Sequence, residues 1–301
     1  MDLSTYENII KSESSARRFV SKFCLKNGHR FCPRCKMRKL YRLGDRRRCA
    51  RCGYTFHDLS GRWINQGNLS CGQWLRIVKL FELELSSRKI AQQMGLAYRT
   101  AYKAVSTIRA AILAHAPDAT YLLDGEIELD ESYFGGRRKG KRGRGAAGKV
   151  PVFGILERDG QVSVQVVPNV KAETVLGLTV TKVRRGSIVY TDKFQIYDSL
   201  MFCGYRHVKV DHAVHFSRGR VHINGLEGFW SYAKERLMKH HGIAPRTFPF
   251  YLKEMEFRYN YRNDDLFSLV ARYLCDLVPK QDQSPIYRHR KRPYHSDITM
   301  N

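Results

Sequence analysis

The chain lacks long apolar runs and an export signal. No stretch approaches the roughly 18 uninterrupted apolar residues that a membrane-spanning helix requires, so we expect no membrane partner. The segment from Met1 to Glu7 is acidic where a secretory signal peptide is basic, and no apolar region follows it. We therefore expect a cytoplasmic protein, associated with the nucleoid if the host is prokaryotic.

Acidic residues are scarce. The 301 residues include 28 Asp and Glu against 53 Lys and Arg, which gives a formal net charge of +25. A surface with this excess attracts polyanions, so the composition favours a nucleic-acid partner. Hydrophobic residues make up 43% of the chain, enough for a packed core, and the length allows two or three domains.

The eight cysteines do not form the regular framework of a secreted disulfide protein. Four of them make two Cys-x-x-Cys pairs, Cys32 with Cys35 and Cys49 with Cys52, separated by thirteen residues. Two such knuckles can direct four thiolates at one ion, so we predict a structural Zn²⁺ site. A redox dithiol and purely structural cysteines are the alternatives.

The residues around the second knuckle predict a small ribbon. Residues 39–42 and 54–56 have strand character, and so small a segment has little core without its metal. Four arginines crowd the knuckle and are candidate DNA contacts, the alternative being a solvated basic face: Arg46, Arg47, Arg48 and Arg51.

From Gln73 to about His115 the apolar residues recur at helical spacing. Inside this segment, small Ala91 allows close helix packing and Gly95 permits a sharp turn, as in a helix-turn-helix. The helix after Gly95 would present four side chains to a major groove: Tyr98, Arg99, Thr100 and Lys103. An ordinary helical linker domain is the alternative.

After Pro117 the pattern changes to strands. Residues 126–134, 150–157 and 161–168 are β-rich, a helix is predicted over 171–183, and residues 187–192 form a buried-strand run. A last long helix follows. This order predicts an α/β fold with a ribonuclease H-like sheet.

Three acids stand out in this segment. Strand alternation places Asp130 with Glu128 and Ser132 on one face, which we expect to be polar. Asp192 ends an apolar strand, a costly place for a carboxylate without a compensating cation. Glu227 lies on a helix beside the buried stripe, and spacing alone allows either catalysis or a capping box with Asn224.

These residues resemble a known family. The segments 128–136, 190–192 and 224–234, read as ELDESYFGG, YTD and NGLEGFWSYAK, are similar to those of small prokaryotic insertion-sequence transposases of the DDE type with an N-terminal zinc ribbon, the ISXO2-like transposases, and of their eukaryotic Merlin relatives. The resemblance covers about residues 30–265, and its most specific part is the tryptophan-containing helix.

The resemblance implies a site and a reaction. Asp130, Asp192 and Glu227 would bind two catalytic Mg²⁺ ions, which take oxygen ligands, for phosphodiester cleavage and transfer. Lys234 would contact a DNA phosphate, and Asn224 and His222 are further candidates. Glu131 and Glu128 are the rivals of Asp130 for the first position.

Two basic segments complete the expected DNA surface. A glycine-rich loop carries six positive charges and is predicted to bind the DNA backbone: Arg137, Arg138, Lys139, Lys141, Arg142 and Arg144. The tail 288–292 is either a second anchor or a disordered end.

The expected domains are a zinc ribbon over 1–70, a helix-turn-helix over 71–118, a catalytic domain over 119–278 and a basic tail over 279–301. The expected function is that of a DNA transposase acting as at least a homodimer on double-stranded element ends and target. A DNA-binding regulator with an inert acidic domain and a metal-dependent nuclease are the alternatives.

Overall fold

The computed structural model describes residues 1–24, 31–44, 46–116, 122–135, 149–192, 195–210 and 222–279. They form two compact units. The first contains the described residues up to Lys79 together with those from Ser268 onward, and the second runs from Leu80 to Phe267. None of the helices in the described ranges combines the length and hydropathy needed to cross a bilayer.

The helices are α1 (Leu3–Ile10), α2 (Glu13–Cys24), α3 (Cys71–Glu82), α4 (Ser87–Met94), α5 (Tyr98–Ala114), α6 (Ala172–Lys182), α7 (Asn224–Met238), α8 (Phe248–Asn260) and α9 (Leu266–Cys275). Short 3-10 helices span Trp63–Asn65 and Gln195–Cys203. The strands are β1 (Leu40–Leu43), β2 (Arg46–Cys49), β3 (Thr55–Phe56), β4 (Glu126–Phe134), β5 (Val150–Glu157), β6 (Val162–Val166), β7 (Ile188–Thr191) and β8 (Arg206–Lys209).

Helix ends in the first unit are held by charged side chains. The carboxylate of Glu13 accepts hydrogen bonds from the backbone N–H groups of Cys71 (2.7 Å) and Gly72 (2.9 Å), which begin α3. The buried guanidinium of Arg62 donates to the carbonyls of Cys24 and Cys275, the last residues of α2 and α9. Anions at helix N-termini and cations at C-termini complement the helix dipole, so both contacts stabilise this unit.

The zinc-ribbon segment is a three-stranded antiparallel sheet in the order β1-β2-β3. The two strands expected from the sequence are confirmed, and β2, which was not anticipated, lies between them. Its residues Arg46 to Arg48 form a run of charge that gives no strand signal, yet they pair with residues 41–43 of β1. The apolar cluster of this sheet has only Phe56 as a buried residue besides Cys32 and Cys49, in keeping with a metal-dependent fold.

The second unit contains the helix pair α4–α5 and a five-stranded sheet in the order β6-β5-β4-β7-β8. The strands β4, β5 and β6 form an antiparallel meander, while β7 and β8 run parallel to β4. This is the strand order of a ribonuclease H-like domain. The α/β fold class expected from the sequence is confirmed, and β4 and β5 occupy the predicted residues.

Helices cover both faces of the sheet. One apolar cluster joins β5 and β6 to α7 and α8, with the side chains of Trp230, Leu226 and Met255 among its buried members. The other joins β4, β5 and β7 to α6 and the second 3-10 helix, with Leu129, Val189 and Tyr197 buried. The catalytic candidates on β4 therefore lie in the central strand, between two packed layers.

The edge strand β6 is closed by α8. The side chain of Asn260 accepts from the N–H of Val162 and donates to its carbonyl, each at 2.8 Å, and Glu256 accepts from the N–H of Val164 at 2.7 Å. These bonds occupy backbone groups that an open edge would offer to another strand. The sheet is thus protected against edge-to-edge association on this side.

Candidate active site

The four knuckle cysteines converge on one point. Their sulfur atoms all lie within 4.8 Å of one another, with Cys32 and Cys52 at 3.6 Å and Cys35 and Cys49 at 3.5 Å. A tetrahedron of sulfurs around zinc, with Zn–S bonds of about 2.3 Å, has edges of about 3.8 Å. The set therefore fits a structural Zn²⁺ ion.

The backbone of each knuckle supports this geometry. Lys36, which follows Cys35, and Gly53, which follows Cys52, both have positive φ, at 63° and 67°. This left-handed step turns the chain back after each pair, and the N–H of Arg51 points at the sulfur of Cys49 at 3.3 Å. The paired geometry favours the zinc site over a redox dithiol.

Asp130, in the middle of β4, and Asp192, directly after β7, lie on adjoining strands. The parallel register of β4 and β7 pairs Glu128 with Tyr190, so the residues two positions further on each chain, Asp130 and Asp192, are neighbours. They share one face of the sheet because side chains alternate along a strand. The charge of Asp192 also contributes to the raised pKa of Asp130, as expected for neighbouring carboxylates.

The surroundings of Asp130 differ from the polar face expected from the sequence. The face is covered by α7, and the indole N–H of Trp230 donates to Oδ2 of Asp130 at 3.0 Å. The Trp230 ring fits there because the residue paired with Asp130 on β5 is Gly154. A Cβ at Gly154 would lie 2.6 Å from the ring. The predicted alternation of side chains along β4 is correct, but this face of the strand is covered by a packed helix instead of solvent.

Burial raises the pKa of Asp130 to about 7, and the neighbouring charges of Glu131 and Asp192 add to the rise. A cation placed beside a carboxyl group with a raised pKa stabilises its ionised form. Two adjoining carboxylates offer the oxygen donors that a hard divalent ion prefers. The residues therefore fit a divalent metal site.

Glu131, a rival for the first acid position, faces the opposite side of the sheet. Its Oε2 accepts a hydrogen bond from the hydroxyl of the buried Tyr197 at 2.8 Å. Glu128, the other rival, shares the face of Asp130 but is almost fully buried and bound by Arg158. The geometry favours Asp130 as the partner of Asp192.

Glu227 lies on the exposed side of α7, three residues before Trp230 and seven before Lys234. These spacings place the three side chains along one side of the helix. The ammonium group of Lys234 lies 5.7 Å from the ring centroid of Phe134, the last residue of β4. Lys234 therefore borders the face of β4 that carries Asp130, and Glu227 lies about one helical turn before Trp230 on the same side of α7.

The capping-box alternative for Glu227 is wrong for this helix. A capping box needs Asn224 as the N-cap and Glu227 at the third helical position. In the structure Asn224 is the first helical residue, and the N-cap is Ile223, which has no side-chain capping bond. Asn224 is exposed at the helix start, and His222, two residues earlier, is half-buried.

The three acids do not form a closed cage. Within the described ranges, the cysteine cluster is the one group of three or more metal-ligating side chains gathered within 4.8 Å. Asp130 and Asp192 are adjacent, whereas Glu227 belongs to another element.

Two helices joined by a left-handed turn, α4 and α5, lie in the segment where the sequence predicts a helix-turn-helix. Gly95 adopts the left-handed conformation, φ 60°, between α4 and α5, and Ala91 and Ala101 are buried between the helices. The four side chains proposed to enter a major groove are all exposed at the start of α5: Tyr98, Arg99, Thr100 and Lys103. Tyr102, exposed and 5.9 Å from Tyr98 between ring centroids, was missed and lies beside them.

The arginines of the ribbon are not equivalent. Arg46, Arg48 and Arg51 are exposed, whereas Arg47 is partly buried and its Nε lies 2.7 Å from Oδ1 of Asp58. Alternation along β2 directs Arg47 to the side opposite Arg46 and Arg48. The basic loop residues 137–144 and the tail 288–292 lie outside the described residues.

The fold and the paired aspartates define a ribonuclease H-like α/β domain that follows a zinc ribbon. Two family descriptions match the chain, the transposase zinc-ribbon domain over residues 11–55 and the ISXO2-like transposase domain over residues 122–260. The chain belongs to the ISXO2-like transposase family, as the sequence resemblance had indicated.

Individual relatives agree with this assignment. An uncharacterized transposase-like protein of Haemophilus influenzae is 43% identical over 106 residues, 35% of this chain and 85% of the relative. An uncharacterized protein in transposable element ISH50 of Halobacterium salinarum is 28% identical over 274 residues, 82% of this chain and 90% of the relative. The Mos1 strand transfer complex matches 67% of this chain and 74% of its own at 10% identity, with a TM-score of 0.26 that is too low to bear on function.

Proposed function

We propose that this transposase binds the ends of its insertion sequence, cleaves the DNA strands and transfers the 3′ ends into target DNA. The observation that carries the proposal is the placement of Asp130 and Asp192 side by side at the centre of a ribonuclease H-like sheet. Membership of the family indicates the class of reaction, and the adjoining carboxylates are the residues at which we expect it to occur.

Asp130 and Asp192 would hold one divalent ion between them, and Glu227 would complete the site for a second. When bound, two Mg²⁺ ions supply activation of the attacking oxygen and stabilisation of the leaving oxygen. The Trp230 N–H fixes the rotation of the Asp130 carboxylate, so this acid is oriented before any ion arrives. Preorganised ligands of this kind reduce the reorganisation that the reaction requires.

Two further side chains on α7 would act on the DNA. Lys234, held over Phe134, would contact a phosphate beside the acids, where an ammonium group neutralises backbone charge. Asn224, exposed in the first turn, would contact the substrate on the same side as Glu227.

The ribbon would bind DNA through one face of its β1–β2 hairpin. Tyr41 is paired with Arg48 and Leu43 with Arg46, and all four side chains are exposed. Because directly paired residues share a face, this side combines two cations with two apolar groups. A major groove admits a two-stranded β-ribbon, so the face fits duplex DNA.

The remaining contacts would come from α5 and the basic loop. The first turn of α5 would read the element end, and residues 137–144 would add affinity that does not depend on sequence. Joining two ends requires at least two copies of the chain on the DNA, so we propose a homodimer or higher assembly acting on the nucleoid.

One incubation tests the proposal and separates it from its rivals. Purified protein is mixed with end-labelled element ends, unlabelled target DNA and Mg²⁺, and the products are resolved on a sequencing gel. We expect cleaved ends and a longer joined product, both absent when Mg²⁺ is omitted. Cleavage without joining would indicate a nuclease, and binding without either product would indicate a regulator.

A further inference from the structure

The first turn of α7 is fastened to β4 by the carboxylate of Glu128. This side chain is 1% exposed, and its Oε2 accepts a hydrogen bond from the backbone N–H of Leu226 at 3.0 Å. The first N–H groups of a helix have no partner within it, so an anion placed there both satisfies a donor and complements the helix dipole. A buried carboxylate in this position fixes where the helix begins.

The other oxygen of Glu128 is held by Arg158, whose Nε lies 3.0 Å from Oε1. The same guanidinium stacks on Tyr190 of β7 at 3.9 Å, binds Glu126 at 2.7 Å and donates to the carbonyl of His222, just before α7. Arg158 therefore connects two strands of the sheet to the segment that leads into the helix.

The contact is as close as the backbone permits. A Cβ at Gly225 would lie 2.5 Å from Cδ2 of Leu156 and 2.9 Å from Oε2 of Glu128. Only glycine allows α7 to start this near the sheet. The first turn of α7 is thus packed against Leu156 of β5 and hydrogen-bonded to the Glu128 carboxylate.

The fastened turn is the one that carries Glu227. Leu226, whose N–H binds Glu128, directly precedes Glu227, and Glu128 lies two residues before Asp130 on the same face of β4. Two residues of a strand span about 6.6 Å. One carboxylate therefore sets the position of the third acid relative to the first.

We propose that Glu128 is a positioning residue, supported by Arg158, that holds Glu227 at the working distance from Asp130 and Asp192. We do not assign it as a metal ligand, because its side chain is 1% exposed, Arg158 already balances its charge, and its second oxygen is bound by the N–H of Leu226. This inference rests on the proposed function and assigns Glu128 a role within the same site.

Glu128→Gln is the discriminating variant. The amide offers one acceptor oxygen, and its NH₂ group faces a donor whichever way it is turned, since Leu226 N–H and Arg158 both donate. One of the two hydrogen bonds is therefore broken with little change in volume. Glu126→Gln is the matched control, because it removes another acid from the same arginine on the same strand.

Three measurements are made on the wild type, on both variants and on Asp192→Asn, which is the reference for a lost metal ligand. They are Mg²⁺-dependent cleavage and joining, Mn²⁺ binding followed by electron paramagnetic resonance, and hydrogen exchange of the peptide containing Leu226. For Glu128→Gln we expect faster exchange in that peptide and a 10- to 100-fold loss in Mn²⁺ affinity, with a matching loss in cleavage and joining, about the range for residues that orient metal ligands. Glu126→Gln should stay within about threefold of the wild type in all three, since the Glu126 side chain is 27% exposed and its loss leaves both oxygens of Glu128 engaged.

Several results would overturn the inference. One is that Glu128→Gln has the same Mg²⁺ dependence and the same rates as Glu126→Gln. Another is that Glu128→Gln loses a bound ion as completely as Asp192→Asn does, which would make Glu128 a metal ligand. If Glu128→Gln folds poorly, Arg158→Lys, which keeps the charge but removes the forked guanidinium, should reproduce the weaker Mn²⁺ binding. Normal binding there would also overturn it. An inactive wild type would instead reject the proposed function itself.

Discussion

A buried cluster of one glutamate and two arginines joins α5 to α8 and offers a quantitative test of the structure. Glu254 on α8 is 3% exposed, and its two oxygens bind Arg109 of α5 at 2.6 Å and Arg258 at 3.0 Å. Burial alone would raise the pKa of Glu254, but the two guanidinium groups outweigh it and hold the pKa at about 2. Replacing this residue with Gln leaves two buried cations without their shared anion.

The size of the effect follows from the pKa. A carboxyl group lowered from about 4.5 to about 2 stabilises the fold by on the order of 3 kcal/mol. Breaking a buried pair by removing one partner costs about 3–5 kcal/mol, so the two approaches agree. For a unit of this size we expect Glu254→Gln to lower the melting temperature by roughly 6–12 °C.

The pH dependence has a definite sign. Because the folded pKa of Glu254 is lower than its unfolded pKa, its contribution is complete above about pH 4.5 and is lost as the pH falls towards 2. Urea unfolding between pH 7 and pH 3 should show this loss in the wild type and a flatter profile in Glu254→Gln.

Glu235→Gln is the matched control for this prediction. Glu235 is 77% exposed at its side chain and lies 3.5 Å from Arg236, so its removal should change stability by less than about 0.5 kcal/mol. A loss below about 1 kcal/mol for Glu254→Gln would refute the reasoning, because it would show that the two arginines find other compensation.

Three further changes test separate parts of the molecule. Gly154→Ala should displace the Trp230 ring, which its methyl group would meet at 2.6 Å, and cost about 1–3 kcal/mol in thermal unfolding; an unchanged melting temperature would contradict the packing. Arg48→Gln should weaken DNA binding and reduce the slope of its salt dependence by up to about 0.9 for each phosphate that is no longer neutralised. Arg47 is ion-paired on the other face, so Arg47→Gln should leave DNA binding unchanged. Equal losses of DNA affinity in the two variants would reject the proposed face. Cys32→Ser should abolish zinc in a metal assay and unfold the ribbon, so retained zinc would remove the four-thiolate site.

The sequence predicts those parts of the fold that have a local signal. Strands β4 and β5 are bounded by turn residues and are rich in β-branched and aromatic residues, and the paired cysteines have the spacing of a metal site. Strand β2 was not predicted, because its three arginines have low strand propensity and are ordered by their pairing with β1.

The contacts around the site have no local signal. Trp230 and Asp130 are 100 residues apart, and Glu128 and Leu226 are 98 apart, so neither pair follows from periodicity or spacing. The tertiary fold alone brings α7 onto the face of β4. That is why this face was expected to be polar, and why Glu128 looked like a rival ligand.

The most direct test of the account is DNA joining by Asp192→Asn. The substitution keeps the size of the side chain and removes the charge beside Asp130, so the fold and the ribbon should be unaffected. We expect element-end binding within a few-fold of the wild type, with Mg²⁺-dependent cleavage and joining both reduced by several orders of magnitude. An Asp192→Asn protein that still cleaves and joins at the wild-type rate would contradict the assignment of catalysis to this pair of aspartates.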